Sequence, residues 1–518
     1  MGSGMLTQVQ AACLLGVEAR SVIIEVEVGK GLPGFELVGL PERGVRESRV
    51  RVQAALRAAG YELPHRSLLL NLAPGDLPKS GASFDLAIAV ALLASSGCVE
   101  GDRTEGTLLL GELGLAGDLR GVRGVLPQLR MAQARGLKRA VVPRANAAEA
   151  CLVQKLEVLC ADELLDVTEW LDGRLCLPNA SEACPAQPRV TRAGVDLREI
   201  RGQESARRAL EVAAAGGHHL LLVGPPGSGK TMLARRLPTL LPTPSQEDAL
   251  EIATIHSAAG LLDFGRQANI ARPFRAPHHT ASAAAMVGGG RPLRPGEVTL
   301  AHGGVLFLDE LPEFRRDVIE TLRTVMEQGE VVVARANARV RMPAAPQVVA
   351  AMNPCPCGHA GDPTHLCTCA PDRVERYKSR VSGPLLDRFD LHVAVPRVRA
   401  DELRHTLPGE DSATVAARVA GAREAARARG PVRDLEALMT HARADALSLL
   451  DRAVDSLGLS ARGYVKALRV ALTLSDLDGS DAIGVSEIAE AIQYRLLDRR
   501  SPAARGVQRP RERREEMQ

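Results

Sequence analysis

The sequence predicts an α/β fold in several parts: a core of buried strands and helices, an α+β domain before it and a small helical domain after it. Three observations predict this. Residues 219–223, HLLLV, form a short apolar run that passes directly into GPPGSGKT at 224–231. Residues 305–310, VLFLDE, form a second apolar run that ends in two carboxylates. Beyond Pro396, β-like runs stop and apolar residues recur at helical spacing. At 518 residues the chain is also too long for a single core.

Taken in order, Met1–Gly4 (MGSG) read as an added tag and Met5 as the natural start. Residues 5–173 are expected to form the first domain. Ser21–Val28 reads as a strand, Gly44–Ala59 as a helix and Phe84–Ala94 as a nearly all-apolar helix. Residues 174–195 carry Pro, Ser and Asn without periodicity and are expected to be a linker. The core is assigned to 196–396 and a helical lid to 397–500. Within the lid, Ala413–Gly430 is rich in Ala and Arg, Ser460 caps a helix over Ala461–Leu474, and Val485–Leu497 repeats at helical spacing. Residues 501–518 are expected to be a disordered basic tail. From Arg499 onward the chain holds seven arginines against three glutamates, which reads as a solvated end rather than a binding arm.

Composition narrows the function. The net charge of +3 excludes a general polycation, so any nucleic-acid contact must come from local basic surfaces. Aromatic residues at 2% argue against base-stacking platforms of the single-strand-binding type. No apolar stretch of spanning length and no signal peptide is present, so no membrane partner and a cytoplasmic location are expected. The ten cysteines fit this, because four are packed into one short segment and the rest are scattered.

The first motif predicts a nucleoside triphosphate site. G-x-x-x-x-G-K-[ST] after a buried strand is a phosphate loop, here Gly224, Pro225, Pro226, Gly227, Ser228, Gly229, Lys230 and Thr231, with Met232 opening the next helix. The glycines let backbone N–H groups face phosphate oxygens, and the following helix adds its positive end. Lys230 is expected to neutralise the β/γ-phosphates and Thr231 to bind Mg²⁺. Asp309 is the second Mg²⁺ candidate and Glu310 the group that polarises the attacking water. Two acids ending an apolar strand need such partners, and together the motifs predict ATP hydrolysis.

Further segments follow in the order of the AAA+ superfamily. Arg316–Gly329 is an amphipathic helix, Val331–Arg341 reads as strand, turn and strand, and Gln347–Met352 is an apolar strand ending at Asn353. Asn353 stands where a sensor-1 residue meets the γ-phosphate. GPLLDRFDL at 383–391 resembles the arginine-finger motif of the helix-2-insert clade, and Ser460-Ala461-Arg462 resembles its sensor-2 motif. The resemblance implies that Arg388 reaches the ATP of a neighbouring subunit and that Arg462 touches the γ-phosphate.

DLREIRGQ (196–203), PFRAPHHTAS (273–282), RPLRPGEVTLAHGGVLFLDELPEF (291–314) and NPCPCG (353–358) together resemble one family, the magnesium-chelatase-like ATPases of the ComM (YifB) type. The resemblance runs from Met5 to about Arg500. It implies a homo-hexameric motor acting on single-stranded, double-stranded or branched DNA without sequence preference, in branch migration during natural transformation. It also implies that the insert between Gly288 and Ala301 and the hairpin at 329–345 project into a central pore. Arg335, Arg339 and Arg341 are then the first candidates for phosphate contacts, and Arg291 and Arg294 the second. A chelatase-type or protein-remodelling ATPase is the alternative function.

Cys355, Cys357, Cys367 and Cys369, within 355–369, form two C-x-C pairs with His359 and His365 between them. Four thiolates on a short loop can surround one structural Zn²⁺, and free structural thiols are the alternative. The first domain resembles the proteolytic domain of Lon through residues 71–86, with Ser83 at the nucleophile's place. The family's activating lysine falls at Leu126, and an unassisted serine is a poor nucleophile. A Lon-protease-like fold without an intact Ser-Lys dyad is therefore expected.

Overall fold

The computed structural model describes residues 7–29, 31–32, 34–184, 195–262, 270–335, 338–362, 365–399, 404, 408–432 and 434–495. The side chains of Arg335 and Ala338 are outside this description, as are the linker residues 185–194 and the basic tail.

The first domain is built on a seven-stranded mixed sheet. Its strands are β1 (Thr7–Leu15), β2 (Glu18–Gly29), β3 (Gly34–Val38), β4 (Ser67–Ala73), β5 (Thr107–Leu109), β8 (Arg139–Pro143) and β9 (Glu157–Ala161), and β6 (Glu112–Leu113) with β7 (Leu119–Arg120) makes a separate small hairpin. The order is β3-β4-β2-β1-β5-β8-β9, antiparallel across β4-β2-β1 and parallel elsewhere. In β2 the alternation of apolar and polar residues buries Val22, Ile24 and Val26. The helix Asp85–Ser95 is apolar on all sides because it lies inside the domain, with every residue from Asp85 to Leu93 buried. Its one charge, Asp85, is held by Arg51 at 2.6 and 3.0 Å.

The predicted linker begins later than its composition suggests. Leu177 is buried in the first domain's core, and Ala180–Ala183 is a helical turn with a capping box between Asn179 and Glu182. Local composition carries no sign of the Leu177 packing, which is made with residues distant in sequence.

The strands of the core sheet are β10 (Leu220–Val223), β11 (Phe274–Arg275), β14 (Val305–Leu308), β17 (Gln347–Met352) and β18 (Leu391–Ala394). They are all parallel, in the order β11-β14-β17-β10-β18. Leu220–Leu222 and every residue of β14 and β17 are buried, as expected of strands covered on both faces. Between them lie two hairpins, β12 (Gly288–Gly289) with β13 (Arg294–Pro295), and β15 (Glu330–Arg335) with β16 (Ala338–Pro343). β10 comes first in sequence yet lies between β17 and β18, so the chain order reverses there and a crevice opens at the strands' C-terminal ends.

The lid comprises helices Ser412–Arg429, Leu435–Thr440, Ala444–Leu457, Ala461–Asp478 and Val485–Gln493. Ser460 caps the fourth by accepting from the Gly463 N–H, and that helix runs four residues past the expected Leu474 because Leu474 and Ser475 remain buried. Lid and core share one apolar cluster. The first domain docks on the core through helix Val125–Ala134, which packs against helix Gln246–Ala259. Leu126 is buried there with Ala253, and its N–H donates to Ser257 Oγ at 3.3 Å. The place expected of the Lon lysine is thus an apolar contact between domains.

Candidate active site

The phosphate loop is held between β17 and β18. The Gly224 N–H donates to the Met352 carbonyl, and a Cβ at Gly224 would lie 2.1 Å from the Val395 oxygen, so only glycine fits. Gly229, at φ +89°, then turns the chain into the helix Lys230–Ala234. Lys230 is buried and donates to the carbonyls of Gly224 and Pro225 at 2.7 and 2.8 Å and to Asn353 Oδ1 at 3.2 Å. Burial lowers its pKa, and Asp309 and Glu310 oppose that shift. Its close partners are neutral oxygens, and Ser228 Oγ in the same loop is buried without a partner among the described residues. Both fit a site that takes up anionic phosphate oxygens.

Thr231 Oγ1 donates to Asp309 Oδ2 at 2.8 Å, so a hydroxyl and a carboxylate that follow two different strands meet where the motif expects Mg²⁺. Asp309 Oδ1 accepts the Glu310 N–H at 3.0 Å. Glu310 has φ +53°, an uncommon conformation for a residue with a Cβ, and its side chain is half exposed. Its carboxylate lies 3.2 Å from Nδ1 of His279, which follows β11. Sequence reasoning quotes His279 only within a family motif, because β11 and β14 become neighbours only through the sheet order.

Of the predicted residues, Lys230, Thr231, Asp309, Glu310 and Asn353 converge, and Met232 lies beside them with its side chain partly exposed. The two arginines do not join them. Arg388 donates to Glu327 at the end of helix Arg316–Gln328, and burial with the nearby charges of Arg462 and Arg323 lowers its pKa. Arg462 lies 3.7 Å from Asp387, beside Arg388. The first turn of the Arg462 helix is thus packed where the finger motif emerges, and both arginines lie together.

The four cluster cysteines have sulfur atoms within 4.8 Å of one another, with separations of 3.3, 3.7 and 3.6 Å among Cys355, Cys357 and Cys367. A tetrahedral thiolate site with bonds of about 2.3 Å needs sulfur atoms roughly 3.8 Å apart, so the donor set fits. A hydrogen bond from the His359 backbone lowers the Cys357 thiol, whereas in Cys367 and Cys369 a lowering backbone hydrogen bond is outweighed by burial and the neighbouring sulfurs, so the four share their protons unevenly. In sequence the cluster stands between Asn353 and the finger motif. In the fold it leans on the phosphate loop: a Cβ at Gly358 would come within 2.4 Å of Pro226 Cδ.

The DNA candidates are dispersed. Arg291 and Arg294 are exposed on the β12–β13 hairpin, and Arg339 and Arg341 are exposed on β16. Arg341 lies 3.8 Å from Glu330, so its charge is partly spent within the hairpin. Arg339 borders the first domain rather than open solvent on all sides.

Comparison with known proteins agrees with this geometry. Three family models match: magnesium chelatase, subunit ChlI, over residues 196–403; subunit ChlI of Mg-chelatase over 24–146; and the ChlI C-terminal region over 409–495. The protein YifB of Salmonella typhimurium is 44% identical over 502 residues, covering 95% of this chain and 98% of its own. The competence protein ComM of Haemophilus influenzae is 44% identical over 506 residues with the same coverage. Lon protease 2 of Bacillus subtilis is 33% identical over 150 residues, 27% of this chain and 26% of its own. With the switch-point phosphate loop, the paired carboxylates and similarity along nearly its whole length, the chain belongs to the magnesium-chelatase-like AAA+ ATPases of the ComM (YifB) type.

Proposed function

We propose that the protein is a ring-forming, ATP-driven DNA motor that moves branch points in recombination intermediates, with a structural zinc in its cysteine cluster. The carrying observation is that Lys230, Thr231, Asp309, Glu310 and Asn353 meet in one crevice while Arg388 and Arg462 stand together elsewhere. A site whose arginines lie apart from its phosphate loop is completed by a second copy, which supports a ring. The relative in Haemophilus influenzae is named a competence protein, and exposed arginines on two hairpins without aromatic neighbours suit a sequence-independent grip on phosphates.

In the working site, Thr231 and Asp309 would hold a Mg²⁺ that would supply positive charge to the phosphates. Lys230 would pair with phosphate oxygens, Asn353 would orient the nucleophilic water and Glu310 would accept its proton. Arg388 from the adjacent copy meets the charge that develops on the transferred group. ATPase rates measured with forked, four-way and double-stranded DNA test the reading. Stimulation by a branched substrate above the duplex is expected; a rate unmoved by every DNA would favour a protein-remodelling or chelatase-type ATPase.

A further inference from the structure

The turn between β1 and β2 plugs the first domain into the hairpin β15–β16. Val17 is buried with Val340 and Met342, and a Cβ at Gly16 would touch Val340 at 3.0 Å. Beside this contact the two domains do not close. A cleft of about 610 Å³ remains, lined among others by the apolar Leu15, Ile23 and Leu77 and by Arg20, Arg135 and Arg339. Arg339 comes from the hairpin. Arg20 comes from β2, and Arg135 directly follows helix Val125–Ala134, which packs on the core.

Charge in this cleft is left over. Among the described residues Arg135 and Arg339 make no ion pair, and Arg20 pairs with Glu18 at 2.8 Å with both side chains about half exposed, a contact that water keeps weak. The one carboxylate lining the cleft, Asp76, lies within electrostatic reach of the buried Lys79. Near the same turn Arg123 and Arg294 face each other across the domain boundary, and neither has a carboxylate partner among the described residues; burial first, and Arg294 second, lower the Arg123 pKa. Like charges gathered from two domains repel unless an anion lies between them.

We propose that the first domain carries part of the DNA track: the phosphodiester backbone gripped at the hairpin continues through this cleft, with Arg20 and Arg135 on its phosphates. The inference rests on the DNA-motor reading and gives the Lon-like domain a role in it. Arg20 and Arg135 offer guanidinium donors to phosphate oxygens, and the apolar lining of Leu15, Ile23 and Leu77 suits the sugars. No aromatic residue lines the cleft, so bases are not stacked there, and arginines spent on phosphates carry no sequence information.

The test measures binding of full-length protein to a fluorescent duplex across a salt series, for the parent, Arg20→Ala/Arg135→Ala, Arg20→Lys/Arg135→Lys and Arg339→Ala. Removing one charged partner of a phosphate lowers the log–log salt slope by roughly 0.9. The double alanine variant is expected to fall by about 1.8 units of slope and the double lysine variant by almost none. Both positions are exposed, and an unchanged melting temperature without DNA shows that the fold is intact. A parental slope in the double alanine variant overturns the inference, as does a slope change confined to Arg339→Ala. A parent that binds no DNA at any salt overturns the motor reading itself, and this inference with it.

Discussion

Among the described residues Lys230 makes no ion pair, and Asp309 and Glu310 only oppose its burial from a distance: its ammonium is buried against two carbonyls and an amide oxygen. A phosphate is the missing anion, so Lys230→Ala is expected to weaken ATP binding by at least roughly 100-fold, on the scale of breaking a buried charge pair, as read by nucleotide titration. In the proposed mechanism Glu310 differs, because its task is to act on the water. Glu310→Gln keeps shape and removes basicity, so ATP affinity should stay near parental while kcat falls by about 10²–10⁴. Hydrolysis at the parental rate would remove Glu310 from the mechanism. His279 sits 3.2 Å from that carboxylate and fixes where it points in this structure.

At the scale of elements, the end of the finger motif is bound to the lid. Asp390 accepts from Lys466 Nζ at 2.8 Å and from the His219 N–H at 3.0 Å, and Arg495 donates to the Phe389 carbonyl at 2.8 Å. Burial alone would raise Asp390, but the His218 hydrogen bond and the charges of His218, Lys466 and His219 hold it well below the usual carboxylate range. Next to it, burial pushes His219 down to about 4 and His392 to about 3, each from 6.5. His219 Nδ1 accepts the Val348 N–H, which requires a neutral ring. The unfolded chain takes up protons first as pH drops below 6.5, so stability present at neutral pH is lost on acidification, by about 2 kcal/mol for each ring at pH 5. Thermal unfolding should show a lower midpoint at pH 5 than at 7.5, and an unmoved midpoint would contradict buried neutral rings. Little of this network was legible in the sequence, since His219, Asp390, Lys466 and Arg495 are brought together by packing. The phosphate loop and the Asp309-Glu310 strand end were legible because each carries its chemistry within a few consecutive residues. The segment 174–184 was misplaced for the opposite reason, its neighbours being far away in sequence.

In the whole molecule, the separation of Arg388 from the crevice predicts shared sites. Arg388→Ala is expected to lose most turnover with ATP affinity nearly intact, and mixing it with Lys230→Ala should restore part of the rate, because some boundaries then pair a sound phosphate loop with a sound finger. Inactivity at every mixing ratio would count against completion between copies. The contact of Gly358 on Pro226 reaches further. If thiol ligation sets the shape of that loop, loss of zinc from any of Cys355→Ser, Cys357→Ser, Cys367→Ser or Cys369→Ser lowers the melting temperature and also weakens ATP binding, as elemental analysis and nucleotide titration together would show. Linkage is reciprocal. Bound nucleotide should therefore shield the four sulfurs, slowing their alkylation and the escape of their metal to a chelator, so that an oxidised cell would disarm first those copies that hold no ATP.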